Sequence, residues 1–390
     1  MLNLTQNSEN NYTPSLNNKL TNSISSNIQS KNIKNISKVI EIKEVTEVIE
    51  GTKIIDDLKK LIKIIDINTL VISGGAMKGY LFIGVIKLLF EYNIISKIQK
   101  YYGTSFGALL SICLVLGWNI DELLKICTKF PIDSIINYDI DNFIENYGLI
   151  PKINYETLYK KIITFKGFDS NITFKQLYDV TGKELNIIVY DIKNSKAIVV
   201  NYITFPDLMI WEGLYMTTAL PVLVPPYAYK DNFYLDGGIV ENFPIDRIPL
   251  EDRYKTIGIC TKYHTNDWEK IEHNLLNKDI INYLQYSLEL VKIIFTRRQL
   301  NFNIDTIFYV NFNDNEASAK NIMSSIKFNI SDIEKKFFID KGYDQAKKQF
   351  KNIIEKIFFN QLKTNKFNSN SNTNTNTNIN RINSFRYHEI

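Results

Sequence analysis

Histidine is scarce in this chain: 390 residues contain three, His264, His273 and His388. His264 and His273 stand in a polar stretch without a strand end or a glycine turn, and His388 lies beyond a low-complexity tract. A Ser-His-Asp centre would therefore lack its usual base. Cysteine is equally rare. Cys113, Cys127 and Cys260 have neither the spacing of a disulfide framework nor that of a metal site. Cys113 and Cys127 sit in helix-like apolar runs and read as small core residues, which suits a reducing compartment. No window reaches the roughly 18 uninterrupted apolar residues of a transmembrane helix. The opening Met1-Leu2-Asn3-Leu4-Thr5 has no basic region before an apolar core, so no signal peptide is expected. A net charge of +4 is too mild to argue for nucleic acid, and leaves only a modest attraction to anionic membranes.

What the chain does have is Gly103-Thr104-Ser105-Phe106-Gly107, between a strand-like run at 98–102 and a helix-like run at 108–116. Strand, Gly-x-Ser-x-Gly and helix in that order form a nucleophile elbow, in which a sharp turn presents the serine at the top of a sheet. A helix N-terminus there also favours negative charge. The pattern points to acyl transfer through a serine.

A serine hydroxyl needs a base. Asp236 is the best candidate, because the apolar run Phe233-Tyr234-Leu235 ends in Asp236-Gly237-Gly238. Strand ends of this kind place functional side chains at the open edge of an α/β sheet, although Asp-Gly is also a strong hairpin turn pair. An ordinary aspartate is a weak base, and burial beside apolar walls such as Phe233 and Tyr234 would raise its pKa.

The reaction also needs an oxyanion hole. Ser73-Gly74-Gly75-Ala76-Met77-Lys78-Gly79 follows the strand-like 69–72 and opens a helix-like run at 80–92, so small residues let backbone N–H groups approach a substrate. A dinucleotide loop would have a glycine in place of Ala76 and an acid on the next strand. A Walker loop would have Gly-Lys-Ser/Thr where this chain has Lys78-Gly79-Tyr80. Neither alternative fits well.

With these pieces in order, the chain resembles the patatin-like phospholipase family, which carries Gly-Gly-Gly-x-Lys/Arg-Gly, then Gly-x-Ser-x-Gly, then Asp-Gly-Gly or Asp-Gly-Ala. Ala219-Leu220-Pro221, Pro225-Pro226 and Glu241-Asn242-Phe243-Pro244 add to the likeness, which covers roughly residues 68–265. The resemblance implies a three-layer α/β/α fold with a mostly parallel central sheet. It implies Ser105 as nucleophile and Asp236 as its only side-chain partner. N–H groups at Gly74, Gly75 and Ala76 would form the oxyanion hole, with Lys78, Gly79, Gly103, Gly107, Gly237 and Gly238 supporting the motifs. Ala76 departs from the family's third glycine, and the hole survives there only if the backbone avoids glycine-only conformations. Lys78 could bond the loop, meet a lipid phosphate or stay solvated.

The implied activity is a phospholipase A-type lipid acyl hydrolase working through a Ser-Asp dyad and an acyl-enzyme, without metal or cofactor. The alternative is a weakly active or inactive lipid-binding scaffold on the same fold. Expected partners are a phospholipid or other acyl lipid and the surface of a membrane, from the cytoplasmic side. The sequence leaves open whether a protein partner activates the chain.

Residues 1–35 are rich in Asn and Ser and read as disordered, and the Asn/Thr-rich 363–390 as a low-complexity tail. Between them the expected order is a helical lead-in at 36–67, the catalytic domain at 68–265, and a mainly helical extension at 266–362. Paired strands are expected at 185–191 and 197–203, others at 256–261 and 307–310. Helices are expected at 108–130 with a break near Gly117 and a cap at Asp121, from Asp207 to about Thr218, at 279–300, and at 331–360 capped by Ser331. Lipid contact could come from Leu208-Met209-Ile210-Trp211, from Phe106 or from the loop at 143–150, although core packing competes for the first group.

Overall fold

The computed structural model describes residues 56–129, 139–261, 306–311 and 331–371. The expected helix at 279–300, the three histidines and most of both polar ends lie outside these residues.

The sheet is built on β1 (Thr69–Ile72), whose four residues are all buried. β1 pairs in parallel with β2 (Lys100–Thr104) on one side and β7 (Thr256–Thr261) on the other. β2 pairs in parallel with β3 (Glu184–Asp191), and β7 with β8 (Ile307–Val310). Strands covered on both faces read as continuous apolar runs, as Leu70-Val71-Ile72 does. Antiparallel strands complete the far side. β4 (Lys196–Val200) and β6 (Asn232–Asp236) both pair with β3, and β5 (Tyr227–Tyr229) pairs with β6. Followed through hydrogen-bonded neighbours, the eight-stranded sheet runs β5-β6-β3-β2-β1-β7-β8, with β4 on β3.

α1 (Gly79–Glu91) follows β1, and α2 (Phe106–Val115) follows β2. Then come α3 (Ile120–Lys129), α4 (Ile140–Asn146), α5 (Lys152–Phe165) and α6 (Phe174–Thr181), with α7 (Ile210–Thr218) ahead of β5 and α8 (Asp332–Ser371) last. α8 packs against α1 with little space between backbones. A Cβ on Gly84 would lie 2.1 Å from the Ile339 carbonyl oxygen, and one on Gly342 2.0 Å from that of Leu81. Elsewhere Val71, Cys260 and Ile307 pack with Phe243, Ile245 and Ile248 from the segment after β6. β8 thus joins the expected extension to the catalytic sheet itself.

Several local expectations shift. Asn119, not Asp121, caps α3: its side chain accepts from the Glu122 N–H, and Glu122 accepts from the Asn119 N–H. Asp207 does not cap α7, which starts at Ile210 with the Glu212 carboxylate taking the Met209 N–H. Ser331 does cap α8 in a reciprocal bond pair with Glu334, but the helix runs past 360 to Ser371. The side chain of Gln361 bonds Asp66 and Tyr254, so α8 is anchored beside the sheet just past the helix end expected at 360.

Candidate active site

Ser105 occupies the turn between β2 and α2 at φ 53° and ψ −123°. That is a strained conformation for a residue with a side chain, of the kind that persists where the surroundings fix it. Two hydrogen bonds fix it here. The Ser105 N–H donates to Thr217 Oγ1 at 2.9 Å, and that hydroxyl donates on to the Ile188 carbonyl at 2.6 Å. The Ser105 carbonyl accepts from Ala108 and Leu109, starting α2. The flanking glycines serve close approach rather than unusual φ. A Cβ on Gly103 would lie 2.6 Å from the Ala108 nitrogen, and one on Gly107 2.4 Å from the Ile72 carbonyl oxygen. No such pair of backbone contacts leaves room for alanine.

The loop after β1 lies against this elbow. The Ser73 N–H extends the pairing with β7 by bonding Ile259 at 3.0 Å, and the Gly74 N–H donates to the Asn242 carbonyl at 2.8 Å. Gly74 is therefore a spacer, and its N–H is committed to the protein. The candidate oxyanion donors in this loop reduce to Gly75 and Ala76. Ala76 stands at φ 44°, on the left-handed side that glycine adopts most easily. Lys78 closes the short turn Ala76–Lys78 by donating its N–H to Gly75 at 2.9 Å. Gly79 lets the Phe106 ring rest on the first turn of α1, since a Cβ there would come 2.1 Å from the ring.

Asp236 reaches the same place through strand register. β4 pairs with β3 over Ile187–Asp191, which occupies one edge of β3. On the opposite edge Thr104 of β2 faces Ile188, and Asp236 of β6 faces Val189. β2 and β6 meet end to end there, so Asp236 comes in next to the residue that precedes Ser105. Asp236 is buried, and its carboxylate accepts the Gly238 N–H at 2.7 Å. Its own N–H is held by the Ala219 carbonyl at 3.0 Å. Gly237 allows the turn, because a Cβ would lie 2.5 Å from the Ile188 carbonyl oxygen. Arg247 then ties down the following loop with a forked contact to the Glu241 carboxylate, and that pairing pushes the guanidinium pKa further up. Phe233 is exposed, so only Tyr234 of the two expected apolar walls is buried.

The elbow, the small-residue loop and the Asp-Gly-Gly turn thus converge at one end of a mostly parallel sheet. The model of the patatin-like phospholipase family matches this stretch of chain. Residues 70–248 are a patatin-like phospholipase domain. The chain is 30% identical to the Probable lipid hydrolase 463L of Invertebrate iridescent virus 6, over 52% of this chain and 66% of that protein. It is 26% identical to triacylglycerol lipase 5 of Saccharomyces cerevisiae, over 46% of this chain and 28% of the lipase. Among solved structures it is similar to VipD from Legionella pneumophila, at 15% identity and a TM-score of 0.45, over 73% of this chain and 66% of that one.

Beside the patatin-like elbow lies an apolar pocket of about 60 Å³. Its walls come from Tyr80 of α1, Phe106 and Cys113 of α2, Ile126 and Cys127 of α3, and Leu158 of α5, among others. Burial pushes both thiols up, that of Cys127 to about 12. Phe106 is half-buried in this lining, with its ring centroid 5.8 Å from that of Tyr80. Leu208, Ile210 and Trp211 are core residues, so packing wins over lipid contact for that group. In the 143–150 stretch, Ile144 and Tyr147 are exposed, but the segment begins as helix rather than loop. Among the described residues no helix is long and apolar enough to cross a membrane, and no cluster suits a metal ion.

Thr217 and the side chain of Asn242 belong to this arrangement; nothing local in the sequence marks Thr217, and Asn242 is marked only by the Glu241-Asn242-Phe243-Pro244 run, which gives its side chain no role. Both act across more than a hundred residues.

Proposed function

We propose that the chain is a lipid acyl hydrolase of phospholipase A type, with Ser105 as nucleophile and Asp236 as base. The observation that carries this is the register on β3, which brings the end of β6 against the end of β2. Ser105 Oγ attacks the ester carbonyl while its proton passes to the Asp236 carboxylate. The carbonyl oxygen becomes an oxyanion facing the N–H groups of Gly75 and Ala76 and the open N-terminus of α2. Collapse breaks the ester bond and releases the alcohol, which takes the proton from Asp236. Water, activated by the same carboxylate, then frees the fatty acid from the acyl-enzyme. The acyl tail extends past Phe106 into the apolar pocket, where it exchanges water for hydrocarbon.

The test is labelling by a fluorophosphonate probe together with fatty acid release from phosphatidylcholine vesicles. The parent should label and hydrolyse, and Ser105→Ala and Asp236→Asn should do neither while staying folded. Equal turnover by Ser105→Ala would end this reading.

A second reading has one observation in its favour, the left-handed φ of Ala76 in the oxyanion loop. It is a lipid-binding scaffold without turnover. A folded parent that binds the same vesicles but neither labels nor releases fatty acid would support it.

A further inference from the structure

Asn242 sits where the three motifs meet. Its carbonyl accepts the Gly74 N–H, and its Nδ2 donates back to the Gly74 carbonyl at 3.0 Å, so one residue grips both backbone polar groups of Gly74, and the held carbonyl belongs to the same planar peptide unit as the Gly75 N–H. Its Oδ1 faces the rest of the site. A Cβ on Gly74 would lie 2.4 Å from that oxygen and 3.4 Å from Ser105 Cβ. One on Gly238 would lie 2.9 Å from it and 3.0 Å from Asp236 Oδ1. The carboxamide is thus wedged among Gly74, Ser105 and the Asp236 turn.

It is also an expensive residue for this place. Asn242 is 2% exposed, and its Oδ1 has no hydrogen-bond partner among the described residues. A buried acceptor without a donor lowers stability, and an apolar side chain of similar size would avoid the cost. The feature that the carboxamide supplies and an apolar group cannot is the bond to the Gly74 carbonyl.

Resting on the hydrolase reading above, we infer that Asn242 is a positioning residue for the oxyanion loop. By holding the Gly74 peptide, it fixes where the next N–H groups, of Gly75 and Ala76, point relative to Ser105. Its neutral charge is part of the role, because a carboxylate here would face the developing oxyanion.

The experiment compares Asn242→Ala and Asn242→Asp with the parent in steady-state ester hydrolysis at pH 8, alongside thermal unfolding. Misplaced donors cost rate rather than affinity, so kcat should fall roughly 10- to 100-fold with KM little changed. The isosteric Asp variant should be the slower of the two. A residue that only packs would give the reverse order, with the shape-preserving Asp variant closer to the parent. That order, or unchanged kcat in a folded Asn242→Asp protein, would overturn the inference while leaving the hydrolase reading intact. A parent without turnover would overturn both.

Discussion

The N–H of the candidate nucleophile Ser105 is bonded to the side chain of Thr217, 112 residues further along the chain, at 2.9 Å. The elbow is thereby fastened to α7, and through the same hydroxyl to β3. Thr217→Val keeps the shape and removes both bonds. It leaves the Ser105 N–H and the Ile188 carbonyl without their partner, at a cost of about 1–3 kcal/mol. Thermal unfolding should show that loss, and fluorophosphonate labelling should slow. Thr217→Ser, which keeps the hydroxyl, should restore most of both. A Val variant as stable and as reactive as the parent would show that α7 does not hold the turn.

The parts of this site that were legible in the sequence are those made by neighbours in the chain. Gly103 to Gly107, Gly74 to Gly79 and Asp236 to Gly238 each form one turn, and steric demand writes itself into the residue types. Contacts between distant segments leave no such mark. Nothing near Thr217 announces Ser105, and nothing near Asn242 announces Gly74. The same limit explains the commitment of the Gly74 N–H to Asn242, which removes one of three expected oxyanion donors. The cap errors were of another kind. Asp121 and Asp207 are good capping residues by type, but the carboxylates of Glu122 and Glu212 reach back to Asn119 and Met209 and define the helix starts instead. The apolar group at 208–211 could serve core or lipid equally well by composition, and only its burial separates them.

The pocket gives a prediction about substrate length. Ile126 is a half-buried wall residue, so a larger side chain there can be accommodated by narrowing the cavity. Ile126→Trp should lower kcat/KM for a twelve-carbon ester about tenfold and leave a four-carbon ester within twofold. Each buried methylene contributes roughly 0.8 kcal/mol, so losing room for two suffices for a tenfold change. A uniform fall for both esters would point to damage at Ser105 instead, and an unchanged profile would place the tail elsewhere.

Alkaline pH should unfold this protein through its buried phenols. Burial pushes Tyr101 and Tyr215 well up, and does the same at Tyr159, where the charges of Tyr155 and Asp236 add to it. In the unfolded chain these groups ionise near pH 10, whereas in the folded chain they keep their protons. Above about pH 10 the folded state thus binds more protons, and stability falls as pH rises; below it these groups have no effect. The Tyr101 hydroxyl has no hydrogen-bond partner among the described residues. Tyr101→Phe should therefore cost little at pH 8 and shrink the loss of melting temperature between pH 9 and pH 11. An identical pH dependence in parent and variant would exclude Tyr101 from the effect.

Ala76 is where this chain departs from the glycine expected in the loop, and its φ of 44° is on the left-handed side. Left-handed backbone costs an L-residue roughly 1–2 kcal/mol, and glycine avoids that. Glycine also gives the unfolded chain more freedom, which returns about 0.4–1 kcal/mol in the opposite direction. Ala76→Gly should therefore leave stability unchanged or raise it, by no more than about 1.6 kcal/mol. Its effect on turnover is the more informative quantity, because φ at Ala76 already lies on the side that glycine adopts most easily. Turnover within threefold of the parent would mean that alanine holds the donor where catalysis needs it. A many-fold gain would mean that the natural loop is held short of its working geometry, and would move the balance toward a lipid-binding protein with little turnover of its own. Ala76→Val provides the control: a β-branched side chain tolerates positive φ poorly, so it should lose both stability and labelling.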